Sequence, residues 1–356
     1  MTSFWNNKKV FITGHTGFKG SWLSLWLNHL GADVYGYGLS PATEPNLFRI
    51  LNLEQKIKSS ISDIRDLSKV KSAISEVMPE IVFHLAAQPL VRKSYQDPVE
   101  TFSTNIMGTV NFLESVRACR SIKSAVIVTS DKCYENKEWA WPYRENEPMG
   151  GFDPYSSSKG CAELIASSYR NSFFSSVKPG EYSALVATAR AGNVIGGGDW
   201  SEDRLIPDIV KSINKNEKIV LRNPSAIRPW QHVLDSLHGY MTLANKLYLE
   251  ESEYADSWNF GPSDKDSFSV EEMVKKFLNA YGLNSNYEIN KSASLVHEAN
   301  YLKLDSSKAK ANLNWKTKWE TEESVERTAK WYKSYFSNKD MTAYSLNEIE
   351  EHFQIN

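Results

Sequence analysis

Apolar residues fall into short runs of strand length, separated by longer stretches in which they recur every three or four positions. Positions 9–13, 33–37, 80–85 and 125–130 predict strands that are apolar through most of their length, the pattern of strands covered by helices on both faces. Positions 18–30, 67–77 and 98–119 predict helices, with Asp66 and Asp97 standing where N-caps belong. Repeated switching between the two periods is a βαβ series, so the fold class is α/β with a parallel, doubly wound sheet. A further helix starts at Asp153, with Pro154 in its first turn, and runs to about 176; after the Pro179-Gly180 break a strand at 183–189 returns to the sheet.

Beyond Asn193 the pattern loosens. Gly196-Gly197-Gly198 precedes a helix at 207–214 and a strand at 219–221, then helices at 233–249, 270–281 and 322–335, with a sheet strand at 258–260. We expect residues 1–192 to form a dinucleotide-binding domain. Residues 193–356 should form mainly a smaller C-terminal α/β substrate-binding lobe, with a segment near 232–262 returning to the first domain. The polar tail, 337–356, predicts no element.

Length and charge narrow the partners. The 356 residues allow two domains, and 41 Lys and Arg against 43 Asp and Glu leave no basic field for nucleic acid. No apolar run approaches the ~20 residues of a membrane span, and glycines interrupt the N-terminus where a signal peptide would be continuously apolar. The expected location is therefore the cytoplasm. Cys119, Cys133 and Cys161 are odd in number and widely spaced, which predicts reduced structural thiols. The histidines, His84 and His232 among them, lack metal-ligand spacing, so no metal is expected.

Candidate chemistry begins at Gly14-His15-Thr16-Gly17-Phe18-Lys19-Gly20, directly after the first strand and opening the first helix. Backbone amides at a helix N-terminus favour an anion, and a glycine turn lets a pyrophosphate approach them closely. The acid that would hold an adenosine ribose is missing from Tyr35–Ser40, and no basic residue replaces it. NAD is therefore expected over NADP, with Asp63 and Ile64, after a third strand, placed for the adenine. Tyr155 and Lys159 lie one turn apart on a single helix face, ~6 Å along its axis. The cation should draw the phenol's pKa down and make it a general base. Ser130 ends a strand at the carboxyl edge of the sheet, where such folds bind ligands.

Glycine turn, strand-end serine and Tyr/Lys helix occur in this order in one chain, which resembles the extended, nucleotide-sugar-modifying branch of the short-chain dehydrogenase/reductases. His84–Gln88 and Asp63–Asp66 are similar to that branch's other cofactor-side motifs. The resemblance spans roughly residues 8 to 335 and implies a Rossmann sheet. It also implies that Gly14, Thr16, Gly17, Phe18, Lys19, Gly20, Asp63, Ile64, Leu85, Ala86, Ala87, Tyr155 and Lys159 hold NAD.

The residues after Ser130 narrow the reaction. Asp131 and Lys132 are two ionisable groups where sugar epimerases of the branch usually have small or uncharged ones, so proton chemistry beyond hydride transfer is implied. Most 4,6-dehydratases have Asp-Glu here. The variant Thr129–Asn136, with the segments His84–Ser94, Glu138–Glu145, Gly150–Ser156, Gly196–Trp200 and Arg228–Val233, resembles the CDP-glucose 4,6-dehydratases. That resemblance implies NAD-dependent 4,6-dehydration of CDP-D-glucose, with Ser130, Asp131, Lys132, Tyr155 and Lys159 catalytic. Tyr155 would take the C4 hydroxyl proton and Asp131 would protonate the leaving O6.

Lys132 is the candidate C5 base, with a purely ion-pairing role beside Asp131 as its alternative and Glu135 as the fallback base. Gln88, Ser130, Asn193, Arg204 and Arg228 would bind substrate, the arginines on its diphosphate. Trp200 and Trp230 suit either the core or a base pocket. A 4-epimerase, a dehydratase of another nucleotide sugar, or a non-catalytic dinucleotide sensor are the competing readings. Apolar positions on helices 98–119 and 153–176 predict a homodimer contact, on which a homotetramer could be built.

Overall fold

Side chains alternate across a strand, so a strand that is apolar throughout must feed two cores at once. The first strand does so: Val10 and Ile12 join one buried cluster and Phe11 the other. The fourth and fifth divide alike, with Ile81, Phe83, Val126 and Val128 on the first side and Val82, Ala125 and Ile127 on the second.

The computed structural model describes residues 2–174, 184–249, 252–263, 267–284, 287–290 and 301–354. Its strands are β1 (Lys9–Thr13), β2 (Asp33–Gly38), β3 (Lys58–Ile61), β4 (Ile81–His84), β5 (Ser124–Val128) and β6 (Leu185–Ala191). They continue as β7 (Asn193–Ile195), β8 (Ile219–Leu221), β9 (Ile227–His232), β10 (Ser257–Phe260), β11 (Ser267–Ser269) and β12 (Tyr287–Ile289). Seven of them form one parallel sheet in the order β10-β6-β5-β4-β1-β2-β3. The doubly wound α/β sheet is as expected, and β10 returns from the second half of the chain to its edge. The smaller lobe carries β11-β9-β7 and the pair β12-β8.

The longer helices are α1 (Phe18–His29), α2 (Leu67–Val77), α3 (Gly108–Ala118), α4 (Pro154–Tyr169), α5 (Leu205–Lys215), α6 (Val233–Tyr248), α7 (Val270–Tyr281), α8 (Thr321–Phe336) and α9 (Met341–Gln354). Asp66 and Asp97 do cap helices, accepting from the amides of Lys69 and Glu100. The expected end of α4 near 176, the Pro179-Gly180 break and residue 183 lie outside the described residues. Among the described residues no helix is long and apolar enough to cross a membrane.

Four expectations change. The helix expected over 98–119 is interrupted by a π turn at Ser103–Met107, whose wider coil carries Asn105 to Ser158 and to the backbone of Gln88. Strand β5 stops at Val128, because Ser130 already caps the turn Asp131–Cys133. Strand β3 is exposed along its length, as an edge strand without an apolar run to betray it.

The tail given no element forms α9, whose buried positions Met341, Ser345, Glu348, Ile349 and His352 recur at helical spacing but are mostly polar. This helix is fastened by buried Asp235 of α6, whose Oδ1 accepts from the Lys318 amide at 2.7 Å and bonds His352 Nε2 at 3.0 Å. Lys318 Nζ donates in turn to the His352 carbonyl at 2.7 Å. Burial raises the Asp235 carboxyl to about 7 and lowers the His352 ring to about 3, so the contact holds without a full ion pair at neutral pH. Asp235→Ala, which leaves both donors buried and unpaired, should cost about 2–4 kcal/mol in urea unfolding and speed proteolysis at α9. A loss within about 0.5 kcal/mol would show that α9 is held by its apolar contacts alone.

Candidate active site

The glycine turn is set by close backbone approach. Gly14 has φ of 75°, and a Cβ there would lie 2.7 Å from the Ala86 amide nitrogen. One at Gly20 would lie 2.1 Å from the Gly14 carbonyl oxygen. Thr13 Oγ1 accepts from the amides of Leu85 and Ala86, both at 3.2 Å, and so ties the end of β1 to the end of β4. Leu85–Ala87 thus flank the turn that opens α1. Thr16 donates its hydroxyl to the Leu39 carbonyl, Gly17 is the N-cap of α1, and Phe18 begins it. A backbone turn this tight, opening on the N-terminus of α1, fits a dinucleotide pyrophosphate.

At the far edge, Asp63 chelates Arg65, and Ile64 is buried against Gly108. His84 is held between Thr13 and Thr109, and burial keeps its ring neutral with a pKa lowered to about 3.

The cleft of about 620 Å3 lies over the carboxyl ends of β5 and β6, where sheets of this topology place ligands. Ser130, Asp131, Lys132 and Tyr155 line it together with Asn193, Arg204 and Arg228. Among the described residues it is lined by seven Lys and Arg side chains against five Asp and Glu, a surplus suited to a diphosphate.

Burial dominates the ionisation here. It raises the Asp131 carboxyl above its ordinary value, against the charges of Lys132, Arg228 and Lys19 and a hydrogen bond from Ser130 at 2.9 Å. Asp131 Oδ2 is buried without a partner. A carboxyl shifted this way holds its proton more readily than an exposed one, as a group that must act as an acid requires. Lys159, pushed down to about 8 by burial, donates to the Val128 carbonyl at 3.3 Å.

Tyr155 corrects the expectation of a lowered phenol. Burial raises it to about 12, although its contact with the Ser130 hydroxyl and the charge of Arg204 pull the other way. Seclusion outweighs the local cations, so activating this phenol takes further positive charge.

Not every expected residue comes together. Gln88 does not line the cleft. Its amide is consumed internally, donating to the Leu90 carbonyl and Thr101 hydroxyl while its oxygen accepts from the Leu90 amide. Glu135 is exposed and paired with Lys137, also outside the cleft, whereas Lys132 lines it. Lys19 does more than its place in the turn suggests. Its amine lines the cleft, bonds the Tyr240 hydroxyl at 3.2 Å, and is lowered to about 7 by burial and by Arg204 and Lys159. Trp230 lines the cleft, while Trp200 packs in the core against Tyr332.

Arg92 and Arg222 were missed. Both line the cleft and share Asp203, at 3.6 and 2.7 Å. Arg222 directly follows the predicted strand 219–221, and a lone arginine after a short strand carried no signal by itself.

A sequence model of the GDP-mannose 4,6 dehydratase family matches residues 11–328. The CDP-glucose 4,6-dehydratase of Salmonella typhimurium (strain LT2) is 53% identical over 350 residues, covering 98% of this chain and 97% of that one. The chain belongs to the GDP-mannose 4,6 dehydratase family.

Two solved structures of related architecture share the fold. The dTDP-glucose 4,6-dehydratase of Bacillus anthracis, solved with NAD, superposes with a TM-score of 0.76 at 20% identity, covering 95% of this chain and 99% of that one. The UDP-glucose 4-epimerase of Thermus thermophilus, also solved with NAD, gives 0.78 at 22%, covering 91% and 99%. Dehydratase and epimerase thus sit on one scaffold, so the fold alone does not decide between their chemistries.

Proposed function

We infer that this family member is an NAD-dependent hydro-lyase that converts CDP-D-glucose to CDP-4-keto-6-deoxy-D-glucose and water. The observation that carries the reading is Asp131, a buried carboxyl with a raised pKa in the same cleft as Tyr155. A plain oxidoreductase has no use for this second proton donor. The 53% identity with a CDP-glucose 4,6-dehydratase across nearly the whole chain supports the cytidine nucleotide as substrate.

In this reading the 14–20 turn cradles the pyrophosphate of NAD, Asp63 and Ile64 meet its adenine, Leu85–Ala87 flank it, and Tyr155 and Lys159 hold its nicotinamide end. NAD supplies the hydride acceptor for C4 and the hydride donor for C6, and its cationic ring brings positive charge to the phenol. Tyr155, with Ser130 bonded to the same oxygen, takes the C4 hydroxyl proton. Loss of that proton and of the C4 hydride leaves a ketone, which acidifies the proton at C5. Lys132 removes the C5 proton, Asp131 protonates O6, and water departs. A hydride returned to C6 and a proton returned to C5 would complete the product, with no net change in the cofactor. Asn193, Arg204 and Arg228 bind the nucleotide sugar. Residues 1–192 carry the cofactor and 193–356 mainly the sugar nucleotide.

A homodimer completes the reading. Val99, Phe102 and Met107, with Leu164 of α4 and Phe173 beyond it, are exposed apolar side chains on neighbouring helices, Val99 at 77%. A second copy covering that face would bury it. Sedimentation should give at least a dimer, and a stable monomer of 40.4 kDa at micromolar protein would contradict it.

The test of the reaction is a panel of CDP-, dTDP-, UDP- and GDP-glucose in deuterated solvent, followed by mass analysis. The CDP sugar should be dehydrated fastest, by at least ~10-fold, and acquire deuterium at C5; Lys132→Met should lose ~10² or more in rate and fail to exchange C5. Preference for another nucleotide would overturn the substrate, and full C5 exchange in Lys132→Met would remove Lys132 as the base.

A further inference from the structure

One turn beyond Lys159 on α4 stands Glu163, a carboxylate absent from the mechanism above. It is buried, and so is its partner Arg190 of β6, whose Nη2 donates to Glu163 Oε2 at 2.7 Å. Thr188 of β6 donates its hydroxyl to the same oxygen at 2.7 Å, and Thr129 donates to Oε1. Glu163 therefore bonds three side chains, two from β6 and one from just past the end of β5. Arg190 Nη1 continues to the Tyr134 hydroxyl at 2.7 Å and the Glu145 carbonyl at 3.0 Å, and Tyr134 donates to Asn259 Oδ1 of β10 at 2.7 Å. A buried polar chain thus runs from α4 through β6 and the turn after β5 to β10, beneath the cleft.

Stability alone is a weak reason for this arrangement. Two buried charges must be desolvated, and well-packed apolar residues in their place commonly cost nothing. Position gives a better reason. Thr129 directly precedes Ser130, and Glu163 is the first opposing charge to Lys159, whose amine burial pushes down. The other groups facing Lys159 give little help. Lys19 from α1 is a like charge, His84 from β4 is neutral, and the Cys133 thiol is raised far above its usual range by burial.

We propose that Glu163, clamped by Arg190, is a positioning residue for the reaction: it fixes Ser130 through Thr129 and keeps Lys159 cationic beside Tyr155. This inference rests on the assignment of Tyr155 and Lys159 as the proton-transfer pair.

The test separates the two ideas by reading Lys159 directly. In protein labelled with 13C-lysine, the Lys159 side-chain carbon signal, identified by its loss in Lys159→Arg, is followed against pH beside the pH profile of kcat. Glu163→Gln alone strands the Arg190 charge in the core and is prone to unfold. The double variant Glu163→Gln/Arg190→Met removes both charges and is the one to measure, once circular dichroism shows it folded. Its Lys159 midpoint should fall by about one pH unit or more, and the alkaline limb of kcat should fall with it, so that activity at high pH drops about tenfold. Thr129→Val, which removes only the tether to Ser130, should lower kcat about tenfold with the Lys159 midpoint unmoved.

A Lys159 midpoint unchanged within about 0.3 unit in the folded double variant would reduce the pair to scaffolding and overturn the electrostatic half of the proposal. An unchanged kcat in Thr129→Val would overturn the other half. A shifted Lys159 with an unshifted kcat limb would instead remove Lys159 from the reaction, and with it the assignment on which the proposal rests.

Discussion

Desolvation at the carboxyl ends of β5 and β6 is the constraint on which the site depends. Asp131, Tyr155 and Lys159 are all buried there, and in each the neutral form is favoured over its ordinary balance. One physical cause therefore has three chemical consequences. It makes a carboxyl able to donate, leaves a phenol reluctant to ionise until a further positive charge arrives, and brings an ammonium within reach of neutral pH. Seclusion follows from the fold: two cores cover both faces of the central strands and leave their carboxyl ends open to a ligand.

The second lobe answers the first in charge. Arg204 and Arg228 share the cleft with Asp131 and Tyr155; Arg228 acts electrostatically on Asp131, and Arg204 on both Lys19 and Tyr155. The cations that suit a diphosphate are thus the same ones that tune the reacting groups. Placing the nucleotide and setting the proton balance are coupled functions of one cleft.

What could be read from the sequence was local. Strands buried on both faces announce themselves by composition, and Tyr155 and Lys159 share a helix face by spacing alone. The glycine turn was legible because it adjoins a strand and a helix. What could not be read depends on residues distant in the chain. Gln88 resembles a ligand contact in its motif, yet Leu90 and Thr101 consume its amide. Glu163 looks like any helical glutamate until Arg190 and Thr188 arrive from β6. Helix α9 hides its core face behind Ser345 and His352, polar residues buried through Trp331 and Asp235. The direction of the Tyr155 shift escaped too, because spacing reveals a neighbouring cation but not how far the phenol is removed from water.

The central claim is that burial makes Asp131 the acid that separates dehydration from oxidation. Single turnover of CDP-D-glucose by Asp131→Asn tests it most directly, with NADH followed by absorbance and the bound sugar by mass. The amide keeps the side chain's shape but has no proton acidic enough to transfer. C4 oxidation should proceed, and NADH with a 4-keto sugar of unchanged oxygen content should accumulate while water loss slows by ~10² or more. Dehydration at close to the normal rate would contradict the claim, as would a variant that forms no NADH, which would place Asp131 in the first hydride transfer or in substrate binding.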